Sequence, residues 1–135
     1  MVWLTVCTPA GRSTKIVGVM SVLIVDDNAS FRASARRLLG AEGFTVIGEV
    51  RDGHSAISAA QELQPDIILL DVQLPDLDGF EVAARLAGRG VRSAVVLTSS
   101  RNAADYGPLF AQAPVRGFVP KAELSGPALS ALVSA

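Results

Sequence analysis

Four apolar runs of this 135-residue chain each stop on residues that can do chemistry. Ser21–Val25 stops on Asp26 and Asp27, and residues 66–70 stop on Asp71. Residues 94–97 stop on Thr98, and Gly117–Pro120 stops on Lys121. In a parallel α/β sheet these ends would share one edge, the edge where ligands of such sheets bind. Crowded carboxylates repel each other and raise each other's pKa unless a cation sits among them. A hard divalent ion is the simplest resident, and Mg²⁺ is commonly held by one or two carboxylates with water and phosphate. Alone, each residue has a plainer reading: Asp26 and Asp27 as a turn before a helix, Thr98 as a strand residue, Lys121 as a solvated lysine. Their joint occurrence, one set per strand end, favours chemistry. Asp71 can attack a phosphoryl group and become an aspartyl phosphate. That transfer needs positioning and neutralised charge more than proton chemistry. Asp26, Asp27 and Asp71 would hold Mg²⁺, with the backbone carbonyl of Gln73 able to complete the ligand set. Lys121 would meet a phosphoryl oxygen as a point charge, and Thr98 would donate a hydrogen bond to another.

Elements that can position these groups follow along the chain. Asn28 is a good N-cap, and residues 30–39 carry Phe31, Ala35, Leu38 and Leu39 at helical spacing, with Arg32, Arg36 and Arg37 mostly outward. Residues 44–50 read as a strand, Asp52-Gly53 as a turn, and residues 55–63 as a second helix closed by Pro65. The 66–70 run is apolar after its first residue, so both faces of that strand should be covered. A polar turn over 74–78 leads to a third helix over 79–86, then a strand over 93–98. Residues 102–111 read as a weak fourth helix interrupted by Gly107-Pro108. A short fifth strand spans 116–120, and Ser125 caps a last helix with Pro127 in its first turn. Five strands alternating with five helices predict a doubly wound parallel sheet covered on both faces.

Composition narrows the class. Half of the chain is apolar, with one Trp and one Tyr, and the net charge is −1. One domain with a proper core is expected at this length. The basic residues are scattered, without the patch or stripe of a nucleic-acid binder. Cys7 is the single cysteine, so an internal disulfide and a multi-cysteine metal site are excluded. A cytoplasmic setting fits, and no stretch is long enough to cross a membrane. Residues 1–19 read as an appendage, flexible or the product of an upstream start, with the domain itself over 20–135. The apolar start lacks a basic flank and is short for a signal peptide.

The blocks Val22-Leu23-Ile24-Val25-Asp26-Asp27-Asn28, Leu69-Leu70-Asp71 through Gly79, Val95-Val96-Leu97-Thr98 and Gly117-Phe118-Val119-Pro120-Lys121 occur in that order with a helix between each. In this the chain resembles the receiver domains of two-component response regulators, over about residues 20 to 135. Within that family it is most similar to the NarL/FixJ group, through residues 43–49, the Asp52-Gly53 turn and Gly117-Phe118. The resemblance implies a flavodoxin-like (CheY-like) five-stranded parallel sheet in the order 2-1-3-4-5. It also implies phosphoryl transfer from a sensor histidine kinase to a central aspartate with Mg²⁺. Asp71 matches the phosphoacceptor, Asp26 and Asp27 the metal-binding acids, Thr98 the switch hydroxyl, Lys121 the active-site lysine and Phe118 the aromatic switch position. Pro75 and Gly79 match residues that shape the loop after the acceptor. One departure is Ala122, where many members have proline after the lysine.

The leading expectation is therefore a stand-alone receiver. It modifies itself rather than turning over a free product, and it signals through a protein partner or a second copy. Its output face would be helix 4, strand 5 and helix 5, with helix 4 the most easily moved part because little of it is strongly apolar. Ser99 and Gln73 are expected near the route of water to the phosphate. His54, the only histidine, is expected at the surface, and Asp76 and Asp78 as turn and cap acids. Two rivals are a DNA-binding response regulator that has lost its output domain and an aspartyl-phosphate phosphotransferase. Against the latter, Gln73 stands where such enzymes usually carry a second acid. A nucleotide or flavin module is disfavoured because Asp27-Asn28-Ala29 replaces a Gly-rich loop.

Overall fold

The computed structural model describes the backbone of Thr5–Cys7 (β1) and Ser13–Lys15 (β2), and residues 19–134 in full. The two short strands pair antiparallel in a sheet of their own, an element not foreseen in the sequence. The rest of the expected 1–19 appendage, apart from residue 19, lies outside the described residues.

The central sheet contains Ser21–Val25 (β3), Thr45–Val50 (β4), Ile67–Asp71 (β5), Ala94–Ser99 (β6) and Gly117–Pro120 (β7). The strands are parallel and lie in the order β4-β3-β5-β6-β7. Counting this sheet alone, the order is 2-1-3-4-5, as expected. The helices are Ala29–Ala41 (α1), Gly53–Leu63 (α2), Gly79–Gly88 (α3), Leu109–Gln112 (α4) and Gly126–Val133 (α5).

Alternation along the strands builds two cores. Leu23, Val25, Ile68, Leu70, Val95 and Leu97 face α2 and α3 through Ala56, Ile57, Ala60, Val82, Ala83 and Leu86. Val22, Ile24, Ile67, Leu69, Val96 and Val119 face α1 and α5 through Ala35, Leu39 and Leu129. β3 and β5 are thus apolar on both faces because both faces are covered. At their start, Asp66 accepts from the Ser21 N–H (2.8 Å) and hydroxyl (3.0 Å), and its own N–H donates to Ser21 Oγ (2.9 Å).

Helix starts follow the caps. The side chains of Asn28, Asp78 and Ser125 accept from backbone N–H groups of Phe31, Glu81 and Ala128. Asp52, read as part of a turn, caps α2 by accepting from Ser55, so that helix begins at Gly53 rather than at residue 55. The weak fourth helix resolves into a 3₁₀ turn, Ala103–Tyr106, and the single turn α4. Gly107, with φ of 55°, separates them, followed by Pro108.

Candidate functional site

The carboxyl edge of the sheet brings the sequence-selected residues together. Covered β3 delivers Asp26 to the edge fully buried, whereas Asp27 is exposed. Asp26 is held on three sides. Its N–H donates to the Val50 carbonyl (3.1 Å), its Oδ1 accepts from the Asn28 N–H (2.8 Å), and its carbonyl accepts from Arg32 Nη1 (2.7 Å). Arg32, expected to face outward, also pairs with Glu49 of β4.

Asp71 ends β5 and is only 4% exposed. Its Oδ1 accepts from the Gln73 N–H at 3.2 Å. The loop beyond closes tightly, with the Gly79 N–H donating to the Val72 carbonyl at 2.7 Å. A side chain at position 79 could not fit there: its Cβ would come within 2.7 Å of the Asp71 carbonyl oxygen and 2.9 Å of Val72 Cα. Asp76 in this loop does more than turn the chain. It accepts from the N–H groups of Gly53, His54 and Leu77 and so ties the loop to the start of α2. Partial desolvation pushes its carboxyl up, but those bonds outweigh it and hold the group down to about 2. His54 is exposed, as expected.

β7 brings Lys121 to the same edge, joined to Ala122 by a trans peptide bond. Its ammonium lies 2.7 Å from Asp26 Oδ2, an ion pair outside hydrogen-bonding direction, and 3.4 Å from Asp71 Oδ2. The ammonium also stands over the Phe31 ring, 4.7 Å from its centre. Burial, and then the charge of Asp26, push the Asp71 carboxyl up to about 6, against the pull of the Gln73 N–H and Lys121. Burial would lower Lys121, but the contact with Asp26 and the charges of both acids outweigh it and raise the ammonium's pKa.

One oxygen from each of Asp26, Asp27 and Asp71 can lie within 4.8 Å of the others. Three hard oxygen donors at that spacing suit a divalent cation such as Mg²⁺. The Asp26 Oδ2 atom is buried with no hydrogen-bond partner among the described residues, and a cation there would share it with the Lys121 ammonium. Thr98 sits opposite Asp71 in register, with its hydroxyl buried and no hydrogen-bond partner among the described residues.

Ser99, next to Thr98, has a partner in the following crossover. It is fully buried, and its Oγ lies 2.6 Å from the Tyr106 hydroxyl. Tyr106, Phe110, Phe80 and half-buried Phe118 form a cluster of edge-on and tilted rings with centres 5.2 to 6.2 Å apart. The segment expected to carry little apolar character therefore supplies two rings of an aromatic cluster. The presence of one tyrosine and two phenylalanines within 106–118 was the available signal.

A parallel sheet in the order 2-1-3-4-5 with acids at its carboxyl edge defines the CheY-like receiver class. The chain belongs to the response regulator receiver domain family, whose pattern it matches over residues 22–132. It is 33% identical over 104 residues to the DNA-binding transcriptional activator EvgA of Escherichia coli K12, covering 77% of this chain and 51% of EvgA. The signal receiver domain of a modulated diguanylate cyclase from Desulfovibrio desulfuricans G20 superposes with a TM-score of 0.74 at 30% identity, over 86% of this chain and 91% of that one. A two-component response regulator of the LuxR family from Aurantimonas sp. SI85-9A1 shares the fold, with a TM-score of 0.78 at 24% identity over 86% of each chain. The chain spans about half the length of the curated relatives it matches. Among the described residues no helix is long and apolar enough to cross a membrane.

Proposed function

We propose that this receiver accepts a phosphoryl group on Asp71 from a sensor histidine kinase in the cytoplasm, and that residues 20–135 suffice for it. The observation that carries the reading is the ion-paired cluster of buried Asp26 and Asp71 with half-buried Lys121, beside exposed Asp27, with the Thr98 hydroxyl on the neighbouring strand unpartnered among the described residues. An Asp71 carboxylate oxygen attacks phosphorus, and the bond from phosphorus to the kinase's imidazole nitrogen breaks with its electron pair leaving on that nitrogen. With a pKa of about 6, Asp71 is mostly ionised at neutral pH and so available as nucleophile. Asp26, Asp27, Asp71 and the backbone carbonyl of Gln73 would hold Mg²⁺, which supplies charge neutralisation for the phosphoryl oxygens. Lys121 binds one of those oxygens and Thr98 donates to another. The protein modifies itself once per signal and is not a turnover enzyme.

The phosphoryl group carries roughly −1.5 to −2 and strong acceptor oxygens where the carboxylate carried a single charge, and that change is the signal. Thr98 moves toward the new oxygens and Phe118 turns into the space behind it. This changes the face formed by α4, β7 and α5, where Leu109 is 53% exposed. That face binds a protein partner or a second copy of the chain, and the receiver itself contacts no nucleic acid. The test is labelling with acetyl phosphate in Mg²⁺: wild type is labelled and Asp71→Asn is not, and equal labelling overturns the reading. A second reading is favoured by the relatives, transcriptional regulators about twice as long. In it this receiver controls an attached DNA-binding half, and the size of the native protein on an immunoblot decides between the two.

A further inference from the structure

We propose that Phe31 is the positioning residue for Lys121, holding the ammonium at the phosphoryl site through the face of its ring. The inference deepens the proposed function and rests on it. Lys121 is the first residue of the short 3₁₀ turn after β7, a turn with no side-chain cap. Nothing in that turn fixes the long, flexible side chain, which loses rotamer freedom on being held in one place. The two acids draw the ammonium inward, 2.7 Å from Asp26 and 3.4 Å from Asp71. Both acids also belong to the candidate metal cluster, so a bound cation would compete with the lysine for them. Phe31 does not share that conflict. Its ring carries no charge, lies 4.7 Å from Nζ, and attracts a cation through its negative face.

The ring is itself well placed. Phe31 packs on the core face shared by Ala35, Leu39 and Val119, and its N–H donates to the Asn28 cap at 3.0 Å. The next residue, Arg32, grips the Asp26 carbonyl. The first turn of α1 thus holds one partner of the Asp26–Lys121 pair by its backbone and supports the other from below.

The experiment compares wild type with Phe31→Leu, which keeps apolar bulk but loses the ring, and Phe31→Tyr, which keeps the ring. The first readout is the proton shift of the Lys121 ε-methylene and ammonium in metal-free protein. A ring beneath them moves these signals upfield in wild type and Phe31→Tyr, and the displacement disappears in Phe31→Leu. The second is the rate of labelling by acetyl phosphate in Mg²⁺. Phe31→Leu should slow it roughly three- to tenfold and Phe31→Tyr should restore it, with no further effect of Phe31→Leu in a Lys121→Met background. If Phe31→Leu fails to fold, Phe31→Met takes its place. Lysine signals without the upfield displacement, or equal rates in wild type and Phe31→Leu, overturn the proposal. Failure of wild type itself to be labelled overturns the proposed function instead, and the lysine signals alone then decide whether Phe31 holds Lys121.

Discussion

Between β3 and α3 the chain runs through helices of 13, 11 and 10 residues, each opened by a side-chain cap. Between β6 and β7 the crossover is a four-residue 3₁₀ turn and a four-residue helix, and neither contains a buried residue. The first region carries the acids, held by bonds from Asn28, Arg32 and Gln73. The second is fastened to the sheet by the Ser99–Tyr106 bond and by rings packed edge to face. A site that must bind a small ion and a tetrahedral group needs fixed donors. A surface that must change when they bind needs an element with few buried contacts. Under the proposed function, the difference between the two crossovers divides those demands between them.

The sharpest way to break this contrast is Asp71→Asn, which should abolish phosphodonor labelling. It also tests the electrostatics. The folded carboxyl titrates at about 6 against 3.8 unperturbed, so the folded chain binds that proton more tightly than the unfolded one. Wild-type stability without metal therefore falls as pH rises from about 4 to 6, and Asp71→Asn escapes that loss. Urea denaturation should find the variant more stable at pH 7 by roughly 1–3 kcal/mol, with the gain vanishing near pH 4. Next in size, Gly79→Ala forces a Cβ against the backbone of Asp71 and Val72. It should cost about 1–3 kcal/mol and lower the melting temperature by several degrees. Asp27→Ala should weaken Mg²⁺ binding by about tenfold or more, read by titration calorimetry, while leaving the melting temperature nearly unchanged because Asp27 is exposed. Smallest is Tyr106→Phe, which keeps the ring and removes the hydroxyl opposite Ser99. A loss of about 0.5–1.5 kcal/mol is expected. In NMR spectra the change should spread through 100–112 and leave the Asp26 and Asp71 resonances in place, and the reverse pattern would erase the distinction between the crossovers.

The rigid region was the more legible in the sequence. An apolar strand that ends on Asp26 or Asp71 announces its edge, and Asn28 and Ser125 announce the helices they cap. Asp52 reads as a turn in the sequence because a capping acid before glycine has the same local signature as a turn. The contacts of Asp76 with α2, of Tyr106 with Ser99, and of Lys121 with Phe31 left no periodic trace. They join loop residues to other elements, and only the folded sheet decides which loops become neighbours. The β1–β2 pair was too short for its alternation to stand out.

The Ser21–Asp66 clasp at the far end of the sheet has a consequence for how such a site can vary. With apolar residues on both faces, β3 and β5 carry no polarity that would oppose a slip of register. The clasp supplies the missing mark, and the acids of the site, Asp26 and Asp71, follow five residues later in each strand. The two strands act as rulers of equal length reading from a common zero. Inserting or deleting one residue in either would leave the core greasy and the helices capped, yet would misplace one carboxylate by about 3.3 Å along the strand. Volume-conserving exchanges among Val22, Leu23, Ile24, Ile68 and Leu69 would keep both the core and the site, whereas a change of spacing would keep only the core.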